Sequence, residues 1–188
     1  MTREKFYCKK YGYGATRIRE RLALVNLHET DQVLSRRLQR DVIVPNVERI
    51  VEAFYDFLER QPDFTRVIAK GFDVERLKQT QTHYLLSLGV HFDRPEYFEE
   101  RLRVGHAHAR AGVPLSLYQA AYSVLQRLIL DCFPDSLGSD RELAAKHTAI
   151  LNAVTALDMT LAIETYHLPQ EQDLKESLDT LRDEAREL

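Results

Sequence analysis

The sequence predicts an all-α protein, and three observations carry that prediction. Apolar residues recur at helical spacing through almost every segment, and no stretch alternates with the strand period over a useful length. Only seven Gly and six Pro occur in 188 residues, so turns are few and helices long. The breaks between periodic stretches carry helix start and stop signals rather than hairpin chemistry. Seven or eight helices joined by short loops are expected.

Residues 1–27 are polar, with Phe6, Tyr7, Tyr11 and Tyr13 mixed among Lys9, Lys10 and other cations. They read as an N-terminal extension with a short helix around Ile18–Leu24, the alternative being a loosely docked tail. Thr30-Asp31 offers an N-cap before Val33, Leu34 and Leu38, giving a helix to about Val42. Pro45 suits the first turn of the next helix, whose inner face carries Ile50, Val51, Phe54, Tyr55 and Leu58. Gln61-Pro62 breaks it, and a short helical stretch follows to Lys70-Gly71.

Asp73 caps the following helix, with Leu77, Thr80, Gln81, Tyr84, Leu85 and Leu88 as its inner stripe and Gly89 as its stop. Another helix starts near Arg94-Pro95 and ends at Gly112, since Gly past the last periodic residue and then Pro114 form a stop signal. Pro114 opens the next, lined by Tyr118, Ala121, Tyr122, Leu125, Leu128 and Ile129 and ending near Phe133-Pro134. Asp140 caps a last long helix bearing Leu143, Ile150, Leu151, Val154, Leu157, Leu161 and Ile163.

From residue 170 onward, Leu174, Leu178, Leu181, Ala185 and Leu188 fall at steps of four, three, four and three, the a/d rhythm of a coiled coil. An amphipathic helix docked on the globule is the alternative. The stripe reaches the last residue, so a longer protein is expected to continue beyond Leu188. The expected organisation is an extension over 1–27, a domain over 28–168, and the start of a coiled-coil linker over 169–188.

Composition excludes several classes. Hydrophobic residues at 44% and charged residues at 29% suit a soluble globule. A net charge of -3, with no basic stripe interleaved with aromatics, gives no support for nucleic-acid binding. No apolar run is long enough to span a bilayer, and the N-terminus has no apolar core of a signal peptide. Cys8 and Cys132 lie far apart and lack zinc or redox spacing, which fits reduced thiols in a cytoplasmic protein.

The candidate site centres on His108, in the last turn of the helix ending at Gly112. Gly105, Ala109, Ala111 and Gly112 around it are small, so a large flat object can approach and meet the imidazole first. Neutral imidazole is the commonest metal ligand among side chains, and one axial His on such a helix is what a haem iron requires. Taken alone, a single helical His is more often structural or exposed. His83 lies about 120° round its helix from Leu77 and so faces elsewhere. His28, His91, His147 and His167 show no partner spacing and are expected at the surface or in loops.

Four segments in order resemble the globin domain of globin-coupled sensors, a family that includes haem-based aerotaxis transducers and sensor diguanylate cyclases. They are Phe54-Tyr55-Asp56, Leu77-Lys78-Gln79-Thr80, Gly105-His106-Ala107-His108-Ala109-Arg110-Ala111-Gly112, and Tyr118 after Pro114. The resemblance runs from about Leu34 to Ile129, with an extra helix in front. It implies a globin-like fold that binds haem b, with His108 as proximal iron ligand and Tyr118 beside it. It also implies Tyr55 as the distal hydrogen-bond donor to O2, with Leu77 and Thr80 as the apolar and hydroxyl-bearing distal positions. Val104 and Gly105 line the cofactor on the proximal side, the Val104 carbonyl or Tyr118 taking the second ring N–H of His108. His106 falls about 200° away and is not the ligand. Ala111 stands where the family often carries Ile, which leaves slightly more space.

The function implied is a haem-based sensor of O2, with CO and NO as further ligands. It acts as a homodimer through a four-helix bundle of the last two long helices and signals through the coiled coil to a C-terminal output domain. A diguanylate cyclase is the expected output, with a histidine kinase or methyl-accepting domain as alternatives. The domain itself is not expected to be an enzyme: no flavin- or nucleotide-binding motif occurs, and the distal set is Tyr, Leu and Thr rather than a charged His/Arg pair. The rival reading is a haem-free globin-like interaction module of a stress-signalling complex.

Overall fold

A computed structural model describes residues 6–184, with side chains described as far as Tyr166. Ten α-helices follow one another: α1 Phe6–Lys10, α2 Ala15–Leu24, α3 Gln32–Leu38, α4 Val44–Leu58, α5 Pro62–Ile68, α6 Val74–Ser87, α7 Pro95–Ala111, α8 Leu115–Leu130, α9 Phe133–Leu137 and α10 Arg141–Glu184. The described residues contain no strand. Nor does any described helix have the length and apolarity to cross a membrane.

Local chemistry accounts for most boundaries. Asp73 Oδ1 accepts from the Glu75 and Arg76 amides at 2.9 and 3.3 Å, and so caps α6. Pro95 begins α7, and Gly112 ends it with φ +73°, a left-handed conformation that a side chain would strain. Asp140 Oδ1 accepts from the Leu143 amide at 2.9 Å at the head of α10.

Three expectations change. The junction before Pro45 is not a break, because α3 passes through a π-helical stretch, Gln39–Ile43, directly into α4. Gln39 lies buried there and donates through Nε2 to the carbonyls of Leu85 and Leu88 at 2.7 and 2.6 Å. These α6 carbonyls end in the core, where an unmet acceptor is costly, and the π-turn brings the amide to them. The second change is one of extent: α10 is one helix of 44 residues, so the helical stretch expected from residue 170 continues the last long helix as far as Glu184.

The third change concerns the N-terminal segment, which is firmly docked. Glu99 on α7 accepts from the Tyr7 and Cys8 amides at 2.9 and 2.7 Å, satisfying the exposed donors at the start of α1. Tyr11 Oη lies 3.0 Å from His106 Nδ1. Glu164 on α10 accepts from Tyr13, Arg17 and Arg21 at 2.8, 2.6 and 2.8 Å. Cys8, Tyr11, Tyr13, Ile18 and Leu27 are buried.

The core lies where α7 and α10 cross the other helices. Phe92, Phe98, Leu102, Leu85, Ile129, Leu151, Leu157 and Leu161 are fully buried or nearly so. Each such side chain contributes about 1.5–3 kcal/mol relative to exposure. Gly105 sets how closely α7 approaches α10: a Cβ there would lie 2.5 Å from Thr165 Oγ1 and 2.9 Å from Ala162 Cα. The space left by that glycine is therefore taken by α10. His147, expected at the surface, is fully buried on α10, with Nδ1 donating to the Leu143 carbonyl at 2.8 Å.

Candidate functional site

The last turn of α7 presents His108. Its Nδ1 lies 2.9 Å from the Val104 carbonyl, which can only accept, so Nδ1 carries the proton. The ring is thereby fixed in one tautomer, with the Nε2 lone pair free; Nε2 has no hydrogen-bond partner among the described residues. Desolvation pushes the imidazole pKa below its ordinary value, against a smaller opposing effect of the Val104 bond. A neutral, oriented imidazole is the ligating form of histidine.

Tyr118, near the start of α8, packs edge-on against this ring, with centroids 4.9 Å apart and planes at 70°. Its hydroxyl is pushed up to about 12 by burial. His106 points to the other side of α7 and meets Tyr7 and Tyr11 of the N-terminal segment.

Tyr55 is buried on α4 between Phe54 and Phe64, at centroid distances of 5.8 and 6.1 Å. Its hydroxyl has no hydrogen-bond partner among the described residues, and burial raises its pKa. It therefore stays a neutral O–H donor at physiological pH. Leu77 on α6 is half-buried and packs on the core. Thr80, one turn on, is exposed, and its hydroxyl donates to the Arg76 carbonyl at 3.0 Å. His83 is exposed. An open cleft beside the end of α7 is lined by Asp63, Arg66, Val67 and Lys70 from the α5 region and by Gly112 and Pro114; His108, Tyr118, Tyr55 and Leu77 are not in its lining. Lys70 Nζ crosses it to donate to the Ala111 carbonyl at 2.7 Å.

No group of three or more His, Cys, Asp or Glu among the described residues can hold a bare metal ion. What the site offers is one oriented imidazole nitrogen flanked by aromatic and small residues. Such a donor set fits a metal that brings its other ligands in a planar macrocycle.

A polar cluster in the core escaped the sequence reading. Asp158 on α10 accepts from Tyr84 and Tyr97, each at 2.7 Å, and lies 3.0 Å from Arg101 Nε. The Arg101 guanidinium stacks on Tyr84 and Tyr97 at 4.5 and 4.3 Å from the ring centroids. Tyr122 lies 3.0 Å from Tyr84, oxygen to oxygen. A signal for it existed: Asp158 interrupts the apolar stripe Val154, Leu157, Leu161, and Arg101 sits between Phe98 and Leu102 on the inner face of α7.

The helical arrangement is that of a globin. The globin domain of a Geobacter sulfurreducens globin-coupled sensor superposes with a TM-score of 0.70 over 79% of this chain and 96% of that one, at 22% identity. Within that fold class, the profile of the protoglobin family matches residues 14–172, and the chain belongs to that family. The heme-based aerotactic transducer HemAT of Halobacterium salinarum is 27% identical over 186 residues. That match covers 94% of this chain, which spans 38% of the transducer's length. The resemblance to globin-coupled sensors read from four short segments holds.

Proposed function

We propose that this chain is the haem b-binding sensor domain of a gas-responsive signalling protein, with O2 as its principal ligand. The observation that carries the proposal is His108, a neutral imidazole whose Nδ1 is tied to Val104 and whose Nε2 is left free. His108 is the iron ligand, Tyr118 holds its ring, and Val104 and Leu77 belong to the surrounding shell, whereas Gly105 faces α10. Haem b, held by His108, would supply a ferrous iron able to bind O2, CO or NO.

The chain's own part is to orient, to exclude water and to discriminate. Tyr55 offers a phenolic O–H with no competing partner among the described residues. O2 accepts a hydrogen bond more strongly than CO because it draws more charge from ferrous iron. Leu77 keeps the region dry, which strengthens such a bond. Thr80 is a second donor only after releasing the Arg76 carbonyl.

The similarity to an aerotactic transducer and to the globin domain of a globin-coupled sensor supports a role in signal transmission. The domain organisation proposed is a sensor globin over 28–168, preceded by the extension and followed by the linker. Transmission runs through a homodimer of α8 and α10 to an output domain, for which a diguanylate cyclase is proposed, in the cytoplasm. Catalysis belongs to that output rather than to this domain.

The test is an absorption spectrum of the purified protein supplied with haem, reduced, then exposed to O2 and to CO. A Soret band that shifts with each gas is expected. No Soret band overturns the proposal and favours a haem-free interaction module.

A further inference from the structure

The buried polar cluster leads back to His108 by one continuous route. Asp158 is a carboxylate that only accepts, so the Tyr84 hydroxyl spends its single proton on it. The Tyr84 oxygen can then only accept from Tyr122, which fixes the direction of the 3.0 Å contact between them. The Tyr122 ring lies 5.3 Å from that of Tyr118, and the Tyr118 ring lies 4.9 Å from His108. Arg101 holds the carboxylate by charge at 3.0 Å and reaches Ser87 Oγ at 3.0 Å, while Tyr97 receives the Gly89 amide at 3.3 Å. Elements α6, α7, α8 and α10 are thus tied at one point, and the α8 member of that knot rests on the residue that rests on His108.

This arrangement is expensive to build. Arg101 is 2% exposed and Asp158 1% exposed, and such buried pairs rarely exceed apolar packing in stability. Their geometric specificity is what an apolar cluster would lack. Interiors are packed too densely for one ring to shift without its neighbours.

We infer that Tyr122 is a positioning residue for His108: held by Tyr84 and Asp158, it sets the Tyr118 ring against the imidazole and so couples the orientation of His108 to α10 at Asp158. The inference rests on His108 being the axial ligand. Displacing Asp158 re-aims the imidazole, and a pull on the imidazole is felt at Asp158.

Resonance Raman spectroscopy of the reduced, ligand-free holoprotein tests this, because the iron–histidine stretching frequency reports strain and orientation at the ligand. Tyr122→Phe removes one hydroxyl and keeps the ring. The expected result is a displaced iron–histidine band with the Soret band retained. Tyr84→Phe displaces it in the same direction, and the double variant adds little, since the two act in series. If Tyr122→Phe does not fold, Tyr84→Phe carries the same expectation one link further away. A lowered melting temperature with an unmoved band in both variants means a structural role only and overturns the inference. Absence of the iron–histidine band from the wild-type protein overturns the ligand assignment, and this inference with it.

Discussion

His108 and Val104 stand one helical turn apart and share a hydrogen bond of 2.9 Å, Nδ1–H to carbonyl. The bond settles in advance which nitrogen faces outward. Replacing His108 by Ala removes the outward nitrogen without touching the core. His108→Ala should therefore keep its helical circular dichroism and lose the Soret band on gel filtration after haem is supplied. Retained haem with an unchanged spectrum assigns the ligand elsewhere.

Tyr55 separates O2 from CO. A hydrogen bond to a charged acceptor is worth about 1.5–3 kcal/mol, or roughly ten- to a hundredfold in rate or affinity. Tyr55→Phe should raise the O2 dissociation rate by about that factor, with CO affinity nearly unchanged. Stopped-flow displacement of O2 by CO reads both, and an unaltered O2 off-rate removes Tyr55 from the mechanism.

Arg101 and Asp158 compensate each other in the core. Removing one charge strands the other at a cost of about 3–5 kcal/mol. Arg101→Met should lower the urea midpoint strongly, and Asp158→Leu likewise. The double variant should be less destabilised than the sum of the two, which a double-mutant cycle measures. Strict additivity would mean that the pair is not coupled.

His106 makes the docked N-terminal segment sensitive to acid. Desolvation, then Lys10 and Arg110, push its imidazole below the ordinary value. The unfolded chain then binds the proton more readily than the folded one, so the stabilisation is present above about pH 6.5 and is lost as pH falls through the depressed folded value. His108 is depressed too and acts in the same sense in the haem-free protein. His106→Gln should flatten, without abolishing, the loss of stability of the haem-free protein between neutral and mildly acid pH. Thermal melts across that range test it, and an unchanged slope refutes the assignment.

Much of this was readable in the sequence because it is local. The Asp73 cap, Pro95 and Gly112 act within a turn or two of themselves, and the His108–Val104 bond spans four residues. The features missed are those set by distant partners. Glu99 accepts from the amide of Tyr7, 92 residues earlier in the first turn of α1. Gln39 leaves the regular helical path to serve carbonyls 46 and 49 residues away. In sequence terms Gly105 is open to a large flat object, but the neighbour that fills its space is α10, nearly sixty residues further along. Arg101 and Asp158 are charged residues at buried positions, and periodicity alone does not say that they meet.

The unbroken course of α10 has a mechanical consequence. From Asp158 to Glu184 the helix advances roughly 39 Å at 1.5 Å per residue, and Pro169, which has no amide hydrogen to give the Thr165 carbonyl, falls within that span. A turn imposed at the buried end therefore reaches the far end through Pro169, the point at which this helix bends most readily. The residue count of the span on either side of that proline is a phase setting, since one inserted residue rotates everything downstream by about 100°.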